Sequence, residues 1–493
     1  MTAWRARAAT IALAALSLAH VGSPDTFFVG KAGPYDVRVT VRLPGVIPGR
    51  AQVTVRVADA TASSGHRVAV QAGQWNVGLK GAPPPEPAMA VPGDPTLFAA
   101  ELWFMTPTSY ELSVNVNGPS GPGSVVMPVM ALATAQRTMT PGLGAVLGAL
   151  AVFLTVGLLT IVGAAVRESV LSPGLEPDSL RRRRARIGVV AAAALAALAL
   201  WGGNVWWSAE AASYGASVLY RPFASQATVT SSDVRAPGEM FTLAIRDPRW
   251  TGTPVAVSRY NALMPDHGKL MHLFLVSEAS LGALAHLHPI ARTPAALDFD
   301  AVLPPLPAGR YRVYGDIVHE SGYAQTLVSG VDLPATGPIA ATPSDPDDSW
   351  FAGLAAPESA EPTVELSDGS RLVWRRGEQP LARGDEHLLV FSVRDAAGAA
   401  LTVEPYMGMA AHVVIASQNG AVFAHLHPSG SVSMAALQKF AGESVDPHAG
   451  HAMELAGDVA IPYGFPQAGA YRMWAQVKRG GRVMTGAFDV AVR

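Results

Sequence analysis

A chain of 493 residues is long enough for several domains, and its 48 Gly and 39 Pro suit short-stranded β modules punctuated by turns better than one large helical body. Cysteine is absent, which excludes disulfides, thiolate metal sites, a cysteine nucleophile and a cysteine-ligated blue-copper centre. The formal net charge of −2 argues against a basic nucleic-acid-binding surface.

In chain order, residues 1–23 carry Arg5 and Arg7 ahead of a short apolar run and small residues, the pattern of a secretory signal peptide. Residues 24–138 contain YDVRVTVRL, AQVTVRVA and YELSVNVNG, alternating runs separated by Gly and Pro, which predict an extracytoplasmic β-sandwich. Residues 143–166 are free of charge and long enough to span a bilayer, as are 187–207, which end in WGGNVWW, tryptophans suited to a membrane interface. Between them, 167–186 hold six Arg against Glu168, Glu176 and Asp178. The positive-inside rule makes this a basic cytoplasmic loop and places both flanking regions outside the cell. Residues 220–335 and 361–493 again alternate like strands, predicting two more extracytoplasmic sandwiches joined by a Pro/Asp/Ser linker at 336–360.

The last two modules read as copies. GEMFTLAIRDP parallels GDEHLLVFSVRD, AGRYRVYGDIVHESGYAQT parallels AGAYRMWAQVKRGGRVMT, and the pentapeptide AHLHP occurs at 284–289 and again at 423–428 within LAHLHP and FAHLHP. In an extended strand, residues i and i+2 share a face roughly 6.5–7 Å apart. His286 and His288 are therefore paired on one face, as are His425 and His427, and each pair is preceded by one further histidine, His272 or His412. Two imidazoles at that spacing can converge on one metal ion. His267 precedes the first copy's strand, where the second has Met407 and Met409. Asp316 and His319 follow on the penultimate strand of the first copy, where the second has Gln476 and Arg479. Imidazole with carboxylate suits Cu(II), Zn or Ni and thioether suits Cu(I), so the expectation is two unequal metal sites, one per copy. The loop 446–453, DPHAGHAM, offers His448, His451 and Met453 as accessory ligands.

A β-sandwich with AGxY before its closing hairpin resembles the YtkA/FixH-like and copper-resistance-protein-like extracytoplasmic modules of bacteria. The first module resembles that group through PYDVRVTVRLPGVIPG and SYELSVNVNGPSGPG, and the later two resemble His-rich relatives through PDHGKLMHLFLV, MGMAAHVVI and AHLHP. The resemblance implies an immunoglobulin-like fold, an extracytoplasmic location and, in some members, copper handling or help with oxidase assembly. The fold class expected is mainly β, with three immunoglobulin-like sandwiches, two transmembrane helices and an N-terminal signal helix.

No HExxH helix, GxSxG elbow or phosphate-cradling Gly-rich loop occurs, so no enzymatic activity is expected. The two apolar spans hold no ionisable residue and outline no transport path. The expectation is a bacterial plasma-membrane protein that captures, buffers or delivers a metal ion, copper first and zinc second, with an extracytoplasmic protein as further partner. Two rivals use the same residues: an adhesion or assembly module with structural histidines, and a histidine-based pH sensor.

Overall fold

The computed structural model describes residues 25–61, 65–172, 174–232, 238–250, 258–293, 297–335, 345–357, 359–441 and 458–493. The segments read as a signal peptide and as the DPHAGHAM loop lie outside the described residues. The chain is mainly β and divides into two compact units: Ala133–Tyr220, which holds two long helices, and the remainder, which holds the sheets.

The helical unit begins with Pro141–Glu168, capped by the Thr140 side chain and started by proline. The second helix, Ser179–Ser217, is longer than the apolar run alone predicts. Asp178 caps it by accepting a hydrogen bond from the Arg181 backbone N–H at 2.7 Å. The arginine run Arg181–Arg184 consequently lies within the helix, and the connecting segment is shorter than the expected loop 167–186. Both helices are long and apolar enough to cross a membrane, and their apolar side chains are largely exposed.

In the β unit, residues 26–130 form one eight-stranded antiparallel sheet. Tyr35–Arg42 shows the expected alternation, with Val37, Val39 and Val41 buried and Asp36 and Arg42 exposed. The next two modules each pack two sheets over one core. In the first copy a four-stranded sheet faces a six-stranded one across Leu243, Phe299, Leu273, Leu275, Leu287 and Val313. In the second, two four-stranded sheets meet across Trp374, Phe391, Val413, Ile415 and Met473. All three modules share one local device before a long strand: the Tyr110, Tyr311 and Tyr471 hydroxyls each donate to the carbonyl four residues upstream, Thr106 at 3.1 Å, Pro307 at 2.8 Å and Gln467 at 2.7 Å.

The segment 336–360, expected to be a linker, contributes the strand Ser349–Ala352, which adds to the first copy's sheet beside Ala283–Leu287. Its register places Ser349 opposite His286.

The central strands are buried on both faces. Along His272–Ser277, Leu273 and Leu275 face the copy's own core, while Phe274 and Val276 enter a second cluster shared with Val414, Ala416, Phe423 and Trp474 of the other copy. Tyr314 stacks on Phe423 with ring centroids 4.0 Å apart. The joint is reciprocal: Arg312 Nη1 donates to the Gln418 carbonyl at 3.4 Å, and the matching Arg472 Nη1 donates to the Leu281 carbonyl at 3.0 Å. The two copies thus meet through the same surface on each, as in an isologous dimer built within one chain.

The first module braces the second copy. Phe27 enters that copy's core, its N–H donates to Ser431 Oγ at 3.0 Å, and the Val29 N–H donates to the Ser429 carbonyl at 2.9 Å. Ser429 and Ser431 lie directly beyond His427.

Candidate metal centre

The histidine pairs sit on the strand faces that the copies turn toward each other. Leu284, His286 and His288 share one face of their segment, and Leu287 faces the first copy's core. Phe423, His425 and His427 repeat the arrangement, with Leu426 facing inward. Because these faces pack together, the repeated motif does not make two separate sites. His267, His272, His286, His288, His412, His425 and His427 form one continuous cluster between the copies, neighbouring rings standing 4.7–6.3 Å apart by centroid. The first copy alone supplies the group His272, His286 and His288, as expected, whereas His412 and His427 of the second copy group with His267 of the first.

His267 shows how the copies mix. It sits in the turn Asp266–Lys269 with φ 51°, followed by Gly268 at φ 78°. Two successive positive φ values make a tight turn that needs glycine at its second centre. The turn carries the imidazole to His412 and His427 of the other copy, at 5.6 and 5.2 Å between ring centroids. The second copy repeats the turn at Tyr406–Met409, with Met407 at φ 49° and Gly408 at φ 80°. Met407 and Met409 are both buried there.

Outer partners fix the tautomers. The Asp266 carbonyl can only accept, so His272 Nε2, 3.3 Å away, carries the proton and Nδ1 keeps its lone pair. His286 Nδ1 stands 3.0 Å from Gln476 Oε1 and 3.1 Å from the Tyr406 hydroxyl. Gln476 uses its amide N–H on Ser349 Oγ at 2.7 Å, and Tyr406 donates to the Asp347 carbonyl at 3.1 Å. Both therefore accept from His286 Nδ1–H, and Nε2 holds the lone pair. His288 Nδ1 donates to Asp348 Oδ1 at 3.0 Å, which leaves its buried Nε2 without a hydrogen-bond partner among the described residues.

The lone pairs of His272 and His286 thus face each other, and one nitrogen of His288 comes within 4.8 Å of one nitrogen on each. His272 Nδ1 and His286 Nε2 face each other at 3.2 Å with no proton between them. Two nitrogens bound to one tetrahedral ion at about 2.05 Å stand about 3.3 Å apart, so the spacing is that of chelation. Histidines held from behind by carbonyl, amide and carboxylate acceptors are the usual surroundings of ligating imidazoles. His272, His286 and His288 can bring one nitrogen each within 4.8 Å of one another, and so can His267, His412 and His427. His288, Asp345 and Asp348 form a third such group, with Lys269 paired to Asp345.

On the other side, His425 Nδ1 lies 3.4 Å from Asp316 Oδ2. Asp316 and Gln476 occupy matching positions, opposite His272 and His412 in the two ladders. Each orients a histidine of the other copy, Asp316 holding His425 and Gln476 holding His286. The copies exchange supporting groups as well as ligands.

Burial favours the neutral form of four of these imidazoles. Desolvation, with repulsion among neighbouring rings, lowers His272, His286 and His412 well below the ordinary histidine range. It brings His425 down to about 3, and it raises Asp316 to about 7. Neutral imidazole is the metal-binding form.

His319 does not join the cluster. Its Nδ1 donates to the Asn261 carbonyl at 2.6 Å and its Nε2 meets Gln325 at 3.0 Å, within a box of Trp250, Phe223, Tyr260 and Tyr323. It stands three residues beyond Asp316 on one strand, and an odd separation reverses the face. Sequence reasoning missed Asp266, Asp345, Asp348, Tyr406 and Gln476 as site residues. The signal for a shared face was present in HLFLVS and HVVIAS, which lack the polar alternation of a strand wet on one side.

Comparison with known proteins adds little. A family described as a domain of unknown function (DUF8832) matches residues 364–493, the second copy. No curated protein matches the chain. Among solved structures, dimeric latent PorU from Porphyromonas gingivalis is 11% identical, with 95% of this chain and 34% of that chain covered and a TM-score of 0.15. The present chain thus spans about a third of PorU's length. The chicken CNTN1 FN1-FN3 domains are 9% identical over 95% of this chain and 99% of that one, with a TM-score of 0.14. Escherichia coli alpha-2-macroglobulin gives 9% identity, 96% and 23% coverage and a TM-score of 0.20. Likenesses this low carry no argument about function.

Proposed function

We propose that this is a membrane-anchored extracytoplasmic metal-binding protein that captures, buffers or delivers copper, with zinc as second choice, at the outer face of a bacterial plasma membrane. One observation carries the reading: His272, His286 and His288 can bring one nitrogen each within 4.8 Å of one another, each ring held from behind by an acceptor. Without a cation, such a site leaves imidazole nitrogens buried and unsatisfied, at about 1–3 kcal/mol each. An all-imidazole set suits copper and zinc alike, and Met407, in the turn matched to that of His267, supports copper because thioether is a ligand for Cu(I). In this reading the modules are immunoglobulin-like, supported by paired sheets in the last two and by the three tyrosine hydroxyls bonded four residues upstream. The apolar helices with Arg181–Arg184 at one end are its anchor, with that end cytoplasmic. The role is binding rather than turnover.

The test is metal content and thermal stability of the detergent-solubilised full chain titrated with Cu(I), Cu(II) and Zn(II). Tight binding that raises the unfolding temperature supports the reading. Failure to bind any of the three refutes it and leaves the histidines as a structural joint.

A further inference from the structure

Resting on that metal-binding reading, we propose that the cluster is a two-ion centre for monovalent copper. One ion sits within the first copy on His272, His286 and His288, and the second straddles the copies on His267, His412 and His427. The two groups share no residue, and within each the ligand nitrogens come within 4.8 Å of one another. The second group is built as a site in its own right. His412 is fully buried, and neither of its ring nitrogens has a hydrogen-bond partner among the described residues. A side chain with two unmet polar atoms in a core calls for a ligand. His427 Nδ1 faces the Val432 carbonyl at 3.3 Å, which fixes the proton there and turns Nε2 to the cluster.

His425 joins the two groups. Its ring centroid lies 5.3 Å from those of His272 and His286, 5.4 Å from that of His412 and 4.7 Å from that of His427. Its Nε2 is buried without a partner among the described residues, while Asp316 lies on the opposite nitrogen. Either ion can take this imidazole, so His425 is the ligand through which an ion passes from one position to the other.

Charge selects the ion. At equal spacing, two unit charges repel with a quarter of the energy of two double charges. The ligands of both groups are imidazoles and the carboxylates lie outside them, with Asp345 already paired to Lys269. The centre therefore fills with two Cu(I), whereas a first Zn(II) opposes a second.

The experiment is native mass spectrometry of the full chain in detergent, loaded with Cu(I) or with Zn(II) against a competing chelator. The expected result is two Cu(I) per chain, and one Zn(II) at the concentration where copper already fills both positions. His267→Asn, a residue tolerated at positive φ, leaves one Cu(I), as does the pair His286→Ala and His288→Ala. Unchanged unfolding temperatures of the metal-free variants show that the fold survives. A single Cu(I) in the wild type overturns the two-ion centre while leaving the metal-binding function standing, and that count needs no variant to fold. Equal loading with two Zn(II) overturns the charge argument. Binding of neither metal removes the function itself.

Discussion

The two copies share three matched histidines but support them differently. The first copy places Asp266 and His267 in its turn and Asp316 on its penultimate strand; the second places Tyr406, Met407 and Gln476 at the matching positions. Their apolar joint is complementary in the same way, with Phe274 and Leu284 matched by Val414 and Phe423. Duplication supplied a self-complementary surface, and divergence then made its halves unequal, which two ligand groups of different composition require. The His267, His412 and His427 group exists only while both copies are docked, so metal binding there and the joint between the copies reinforce each other.

The strongest way to break the comparison is to remove the repeated element from both halves. In the variant His286→Ala, His288→Ala, His425→Ala, His427→Ala, metal should give no thermal stabilisation. The wild type should gain about 4 kcal/mol at a thousandfold excess over its Kd, read by differential scanning calorimetry.

Acid should dissolve the metal-free joint. His272, His286, His412 and His425 titrate below the ordinary histidine range when folded, and His319 is brought down to about 4 by burial. The unfolded chain therefore takes up protons first: their contribution is full above pH about 6.5 and falls as the pH drops through the folded values. Burial raises Asp266, and Asp316 to about 7; both act oppositely, their contribution being lost as the pH rises through the folded values. Five groups against two leave a net loss on the order of 4 kcal/mol per pH unit at the steepest, near pH 5. Urea midpoints at pH 7.5 and pH 5 measure it, and a flat profile would contradict the buried neutral cluster.

The exchange of supports gives a sharper test. Gln476→Ala should weaken the His272, His286 and His288 group of the opposite copy about 10–100-fold in copper affinity, with a similar loss for Asp316→Ala at His425. A chelator competition in which either change acts only on its own copy would break the reciprocal scheme. The smallest effect is expected of Tyr406→Phe, which removes the hydroxyl between His286 and Asp347 but leaves Gln476 in place. About 1 kcal/mol of stability should be lost, measured by chemical denaturation, with copper stoichiometry unchanged.

Much of this was legible in the residues. Alternation in YDVRVTVRL and its relatives announced strands, and the i, i+2 spacing placed each histidine pair on one face. The face's destination was not read, because two-sided burial was signalled only by the unbroken apolar runs HLFLVS and HVVIAS. His319 was misplaced by its nearness in sequence to Asp316, although their odd spacing puts them on opposite faces. Asp345 and Asp348 were hidden in a Pro/Asp/Ser stretch that reads as a linker, and become site residues only because Ser349–Ala352 pairs with the strand of His286. Tyr406 and Gln476 carry no metal-ligand signature, and only the docking of the copies gives them a role.

A repeated motif here builds one centre between its two copies. Anomalous diffraction at the copper edge, from crystals of the full chain loaded with Cu(I), tests it directly. Copper density should lie between the copies, bounded by His272, His286 and His288 on one side and by His267, His412 and His427 on the other. Copper found elsewhere, with the seven imidazoles left without metal, would contradict it.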